Sequence, residues 1–355
     1  MWLILCVKLT DTNILCIFVN QNINRMNTSI FSIRLSQARL MNGWSMDQLS
    51  EKTSRKVTKQ SISKYEKGLM LPKKDTLAAL SSALDISIDY FLGTGMSIDT
   101  PMLRKAFNGY VSDEEVTKLE SMLAYWSEQY ITAESKAGML TCFVNPLKDK
   151  VVSTIEDACD SADSLRRAWN CGDGALPSVL RLMERKGIKI LDRQLPCGVL
   201  GLSTWADHKY PLVVIDFANE KHTVERLRFT ASHELGHIVL NIPRDVEPAD
   251  REKLCSQFAG CFLLPKTTLI EELGGTKRAR LTLDELIDLH EEYGVSVSAL
   301  VHEALDLRII SHEHYDWWYN EQIHNNCKEI GWGEYLFPET LGREKRVRSN
   351  LLNNE

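Results

Sequence analysis

Residues 233–237 read His-Glu-Leu-Gly-His, and nothing else in the chain restricts its fold and chemistry as tightly. With nine histidines in 355 residues, chance puts an HExxH pattern in roughly one such chain in fifty. The surrounding run, TVERLRFTASHELGHIVL at 223–240, has no proline and carries Val224, Leu227, Leu235, Ile238 and Val239 as its apolar set. That spacing predicts a helix. On a helix, His233 and His237 lie one turn apart on one side, so each can offer an imidazole nitrogen to one metal ion. Glu234 stands about 100° further round, where it serves as a general base rather than a ligand. The metal such a set prefers is zinc, although two histidines and a carboxylate also accept other divalent ions. Three protein ligands leave a fourth position for water and lower its pKa to about 7. Glu234 is then the group expected to take the water proton and deliver it to a leaving amine.

A third ligand must come from elsewhere. Downstream, NIPRDVEPADREKLCSQFAGCFLLP (241–265) reads as a second helix starting near Pro248, with Glu247, Asp250 and Glu252 as candidates. Glu252 is followed by small residues at i+3, i+4 and i+7, namely Cys255, Ser256 and Ala259. These let the second helix approach the first closely, which favours Glu252. The pairs at His302-Glu303 and His312-Glu313-His314 do not complete the pattern and read as surface or packing residues. The aromatic run Tyr315, Trp317, Trp318, Tyr319 reads as core or interface.

The N-terminal part has a different character. Residues 32–92 hold ten Lys and Arg against six Asp and Glu, inside a chain whose net charge is −6. Such a local basic excess is an informative asymmetry, while the acidic whole excludes a uniformly basic coat protein. Ile33, Leu35, Ala38 and Leu40 form an apolar face that stops at Gly43. Ser45 and Gln48 are spaced as a capping box. Thr58 opens a third helix that Gly68 ends. After Pro72, Leu77, Leu80, Leu84 and Ile86 recur at helical spacing.

This stretch resembles the XRE (Cro-type) helix-turn-helix family, through Gly43-Trp44-Ser45, Leu49, Gln60-Ser61-Ile62, Glu66, Gly68 and Pro72. The resemblance implies a lambda-repressor-like helical domain whose third helix enters the major groove of double-stranded operator DNA, usually as a homodimer. By position, Lys59, Gln60, Ser61 and Lys64 would face bases, with Gln suited to adenine and Lys to guanine. Arg55 and Lys56, in the turn before that helix, would meet phosphate. Ile62 and Tyr65 would pack inward. Met46 stands where the family usually has a polar residue.

The HELGH region, in turn, resembles the ImmA/IrrE family of zinc metallopeptidases. The likeness takes in residues 164–191, PLVVIDF at 211–217, RLRFTASHELGHIVLN at 226–241, EKLCSQFAGCFLLP at 252–265 and 293–311. It implies a zincin-like fold, a zinc ion held by His233, His237 and Glu252, and a protein substrate, by family likeness a repressor related to the chain's own DNA-binding half. Where the family commonly has Ala-Asn, this chain has Cys255-Ser256.

The expected fold is therefore mainly α with a small α+β part, using strands at 187–190 and 211–217. Residues 1–27 read as a non-native or disordered extension with Met26 a plausible start, 28–95 as the helix-turn-helix, 96–150 as a helical connector, 151–340 as the peptidase domain and 341–355 as a basic tail. Ser112 and Glu115 form another capping box, and Val116, Leu119, Leu123, Trp126 and Tyr130 continue as a helical stripe to about Glu134. The nine cysteines are scattered and lack a CxxC pair, so they read as reduced thiols of a cytoplasmic protein. No segment has the roughly 20 apolar residues of a spanning helix, which leaves no membrane partner. Three functions fit: a DNA-binding regulator with an active endopeptidase, a regulator or antitoxin whose peptidase fold only senses or binds, and a peptidase whose helix-turn-helix docks substrate.

Overall fold

In the computed structural model, residues 28–93, 95–99, 112–196, 198–219, 223–275 and 277–353 are described. The expected extension at 1–27 lies outside them. The chain divides into two compact units: residues up to 100 with 108–129, and 101–107 with 130–355.

The first unit begins with α1 (Thr28–Met41), which buries Phe31, Leu35 and Ala38. The expected apolar face was out of phase. Ile33 and Leu35 are about 200° apart on a helix, so they cannot both face inward, and Ile33 is exposed. Arg34 takes an inward position instead. It is buried because its guanidinium pairs with Glu128 and lies 4.4 Å over the Tyr90 ring. The next elements follow the capping signals. Helix α2 (Met46–Lys52) starts at the Ser45–Gln48 box, and α3 (Lys59–Glu66) starts at Thr58, whose hydroxyl accepts the Ser61 N–H. Arg39 clamps α1 to the end of α3 through two 2.7 Å bonds to the Glu66 carboxylate. Helix α4 (Lys74–Leu84) and a 3-10 turn (Ile88–Leu92) close the core of Phe31, Leu35, Leu49, Ile62, Leu77, Leu80 and Phe91. The first part of α5 (Asp113–Lys136) belongs to this unit, and its Tyr125 meets Tyr90 edge-on at 5.3 Å. Of the expected connector stripe, Val116, Leu119, Leu123 and Tyr130 are buried and Trp126 is half-buried.

The second unit is built on α6 (Ile155–Trp169), α7 (Val179–Arg185), a three-stranded sheet, α8 (Val224–Val239) and α9 (Pro248–Leu263). The sheet has the order β1-β3-β2, where β1 is Lys189–Asp192, β2 Gly201–Ala206 and β3 Tyr210–Ile215. Strand β1 runs parallel to β3 and β2 antiparallel. Sequence reasoning located the regions of β1 and β3 but missed β2. Its Ser203 and Thr204 are buried, which breaks the apolar signature of a strand. The β2–β3 turn uses Asp207 and His208 at φ 50° and 52° instead of the glycine that marks most hairpins. A second apolar cluster unites α10 (Lys266–Glu272), α11 (Leu283–Tyr293), α12 (Val297–Asp306), α13 (His312–Trp317) and the π-helical turn Trp318–Ile323. Trp318 is buried there while Trp317 stays exposed.

One expectation needs correction. Cys159 on α6 and Cys261 on α9 form a buried disulfide, with Cα atoms 5.3 Å apart, so these two are not free thiols. Their separation of 102 residues left no local trace. The residues expected as a basic tail form α14 (Arg343–Asn353), on which Lys345, Arg346 and Arg348 are exposed. Its first backbone N–H groups, from Gly342 and Arg343, donate to the buried Glu184 carboxylate, and its Val347 is buried. A carboxylate at a helix N-terminus is favoured by the unpaired N–H groups and the helix dipole. Among the described residues no helix is long and apolar enough to cross a membrane.

Candidate functional site

Helix α8 is held from the inside by a charge. Arg228 is wholly buried and donates to Glu339 at 2.7 Å and to the carbonyls of Leu176 and Tyr293. Glu339 is shared: it also accepts the N–H groups of Val179 and Leu180 at the start of α7. With Leu227, Ala231, Leu235 and Val239 in the core, the helix presents His233 and His237 on its remaining face, both partly exposed.

Helix α9 packs across that face. Gly236 makes the approach possible, since a Cβ there would stand 3.3 Å from the Cα and Cβ of Cys255. The small residues after Glu252 are thus used as the sequence implied. Glu252 Oε2 lies 3.0 Å from His233 Nε2 and 3.4 Å from His237 Nε2, and the two Nε2 atoms are 3.1 Å apart. Of the three candidates for third ligand, Glu252 is the one brought to the histidines. A tetrahedral zinc with bonds of about 2.1 Å needs donors about 3.4 Å apart. Two imidazole nitrogens and one carboxylate oxygen at these spacings therefore fit a zinc-sized ion and leave a fourth direction open.

The electrostatics agree with a cation site. Contacts with His233 and then His237 hold the Glu252 carboxyl well below the ordinary carboxylate range. Burial opposes a charge on His237, but its contacts with Cys255 and Glu252 outweigh burial and raise that ring's pKa. A divalent ion would displace the shared protons, which is the usual coupling of metal binding to proton release. Glu234 is buried on the adjoining face, against the start of β2, where a Cβ on Gly201 would come within 3.4 Å of its Oε1. Sequence reasoning did not find Gly201, Arg228 or Glu339. No local spacing marks Arg228, and Glu339 lies 111 residues from it.

On the first unit, Lys59, Gln60 and Lys64 are exposed along α3, while Ile62 and Tyr65 are buried beneath them. Lys59 pairs with Asp47 on α2, both in solvent. Ser61 is half-buried, with its hydroxyl 3.0 Å from Thr58 Oγ1 as part of the helix cap. Arg55 and Lys56 are exposed in the turn, where Ser54 and Arg55 take φ 55° and 57°. That left-handed pair turns the chain between α2 and α3.

Comparison with known families bears on both units. Residues 35–91 match the helix-turn-helix family model, and residues 183–305 match the model of the IrrE N-terminal-like domain, a peptidase family. The second match spans α8, α9 and the three donors. No curated protein and no solved structure matches the chain. The chain thus joins an XRE-type helix-turn-helix to an ImmA/IrrE-like domain, in a mainly helical fold with one small sheet.

Proposed function

We propose that this chain is a DNA-bound transcriptional regulator carrying its own zinc endopeptidase. The first unit binds operator DNA in the cytoplasm, as a homodimer on two half-sites. The second unit hydrolyses a peptide bond in a repressor protein and so relieves repression, in a stress response, a mobile element or a toxin–antitoxin pair. The observation that carries this reading is the triangle of His233, His237 and Glu252 donors, with Glu234 next to it on the same helix.

His233, His237 and Glu252 would hold the ion. Zinc, when bound, supplies Lewis-acid polarisation and a lowered pKa for water. Glu234 does the proton work: a carboxylate oxygen takes the proton of the attacking water and passes it to the nitrogen of the departing amine as the C–N bond breaks. Lys59, Gln60 and Lys64 read base edges, and Arg55 and Lys56 neutralise phosphates.

Glu234→Gln tests the reading, because it leaves the three donors and the DNA face intact. In cells expressing wild type or variant, sequencing of protein N-termini should find a cut helix-turn-helix repressor only with wild type. The purified variant should keep its zinc and a DNA affinity that falls steeply with salt. The alternative is a regulator or antitoxin whose second unit is non-catalytic; it predicts that the variant keeps the full regulatory effect.

A further inference from the structure

Glu252, Cys255 and Ser256 sit at i, i+3 and i+4 on α9, one turn of one face. Ser256 Oγ lies 3.2 Å from His233 Nδ1, and Cys255 Sγ lies 3.4 Å from His237 Nδ1. Both Nε2 atoms meanwhile face Glu252. A neutral imidazole has one N–H and one lone pair, so a ring that gives Nε2 to a metal carries its hydrogen on Nδ1, and that N–H needs an acceptor.

We infer that Cys255 and Ser256 are positioning residues of the metal centre, each accepting the Nδ1–H of one ligand histidine. The inference rests on the metal-centre reading and adds that a single turn of α9 supplies the third ligand and the acceptors for the other two. It also accounts for the residue types. Cys255 is fully buried against Gly236, where a small side chain with an acceptor atom fits. Helix serines usually turn back to the carbonyl four residues before, as Ser161 and Ser164 do on α6. Ser256 instead has its oxygen at His233. The two acceptors are unequal, because a thiol sulfur accepts weakly. His233 is therefore held more firmly than His237.

The test is zinc affinity of the full chain, by competition with a chelating dye, together with the visible spectrum of the Co(II)-loaded protein. Removing an acceptor from a metal-bound histidine costs about 10–100-fold in affinity. Ser256→Ala should lose about tenfold, Cys255→Ala less, and the double variant most. Ser256→Thr and Cys255→Ser, which keep an acceptor, should bind nearly as wild type. The Co(II) bands should shift in Ser256→Ala and return in Ser256→Thr, which general loosening of the fold would not produce. If wild type binds zinc and the alanine variants match it in affinity and spectrum, the positioning role is wrong and the metal centre stands. If wild type binds neither zinc nor Co(II), the metal-centre reading itself fails and the inference falls with it.

Discussion

Buried charges carry much of the arrangement around the site, and a charge leaves water only when a partner and hydrogen bonds replace the solvent. Arg228 and Glu339 satisfy that condition at 0% exposure on both side chains, and Lys189 with Glu134 does so at 2% each. No local pattern announces such pairs. His233, Glu234 and His237 were legible because i, i+1 and i+4 on one helix is local information. Glu252 was legible through the small residues behind it. The contacts of Cys255 and Ser256 with the ligand rings depend on how two helices cross, and spacing along the chain does not encode that. His314 offers a test at this scale. Its Nε2 accepts the Leu281 N–H at 2.9 Å and the Trp318 indole N–H at 3.2 Å, and burial pushes its pKa down. The folded ring is neutral, whereas the unfolded ring takes a proton near about pH 6.5. Its contribution to stability is present above that pH and is lost as pH falls through it toward the lower folded value. The thermal midpoint of wild type should drop more steeply than that of His314→Gln between about pH 7 and about pH 5. Parallel curves would remove His314 as the source.

Among the elements, some of those opened by a capping residue were legible, although the Thr154–Asp157 and Thr282–Glu285 boxes were not read. Ser45 with Gln48, Thr58 and Thr223 each begin a helix where the sequence put one, because a cap satisfies N–H groups that have no partner within the helix. Strand β2 was hidden by its buried Ser203 and Thr204 and by a turn lacking glycine. The close crossing of α8 and α9 depends on Gly236. An alanine Cβ there would stand 3.2 Å from Phe258 Cδ1 and 3.3 Å from the Cys255 backbone. Alanine favours the helix by about 1 kcal/mol, but overpacking a close contact costs about 1–3 kcal/mol. Because the Cys255 backbone moves only with the whole of α9, the cost wins. Gly236→Ala should lower the thermal midpoint and, by shifting Glu252 away from the histidines, weaken zinc binding. An unchanged or raised midpoint with unchanged zinc affinity would contradict this account of the crossing.

Taken whole, the molecule separates two kinds of chemistry that its overall composition conceals. The net charge of −6 hides a basic N-terminal segment. Within that segment Arg34 and Arg39 are structural, paired with Glu128 and Glu66. Arg55 and Lys56 in the turn and Lys59 and Lys64 on α3, the elements expected at DNA, are exposed, as are Lys52, Lys67 and Lys73. The combination of modules was legible because each has a compact local signature, and the family matches at 35–91 and 183–305 fall on those signatures. The Cys159–Cys261 disulfide and the docking of α14 were not legible, since both join residues far apart in the chain. The central claim is that His233, His237 and Glu252 form a working metal centre. Its most direct test is the metal content of the full chain purified without chelator, beside His237→Ala. The account predicts about one zinc per wild-type chain, lost in the variant. Folded wild type that carries no metal, even after zinc is offered, would contradict it.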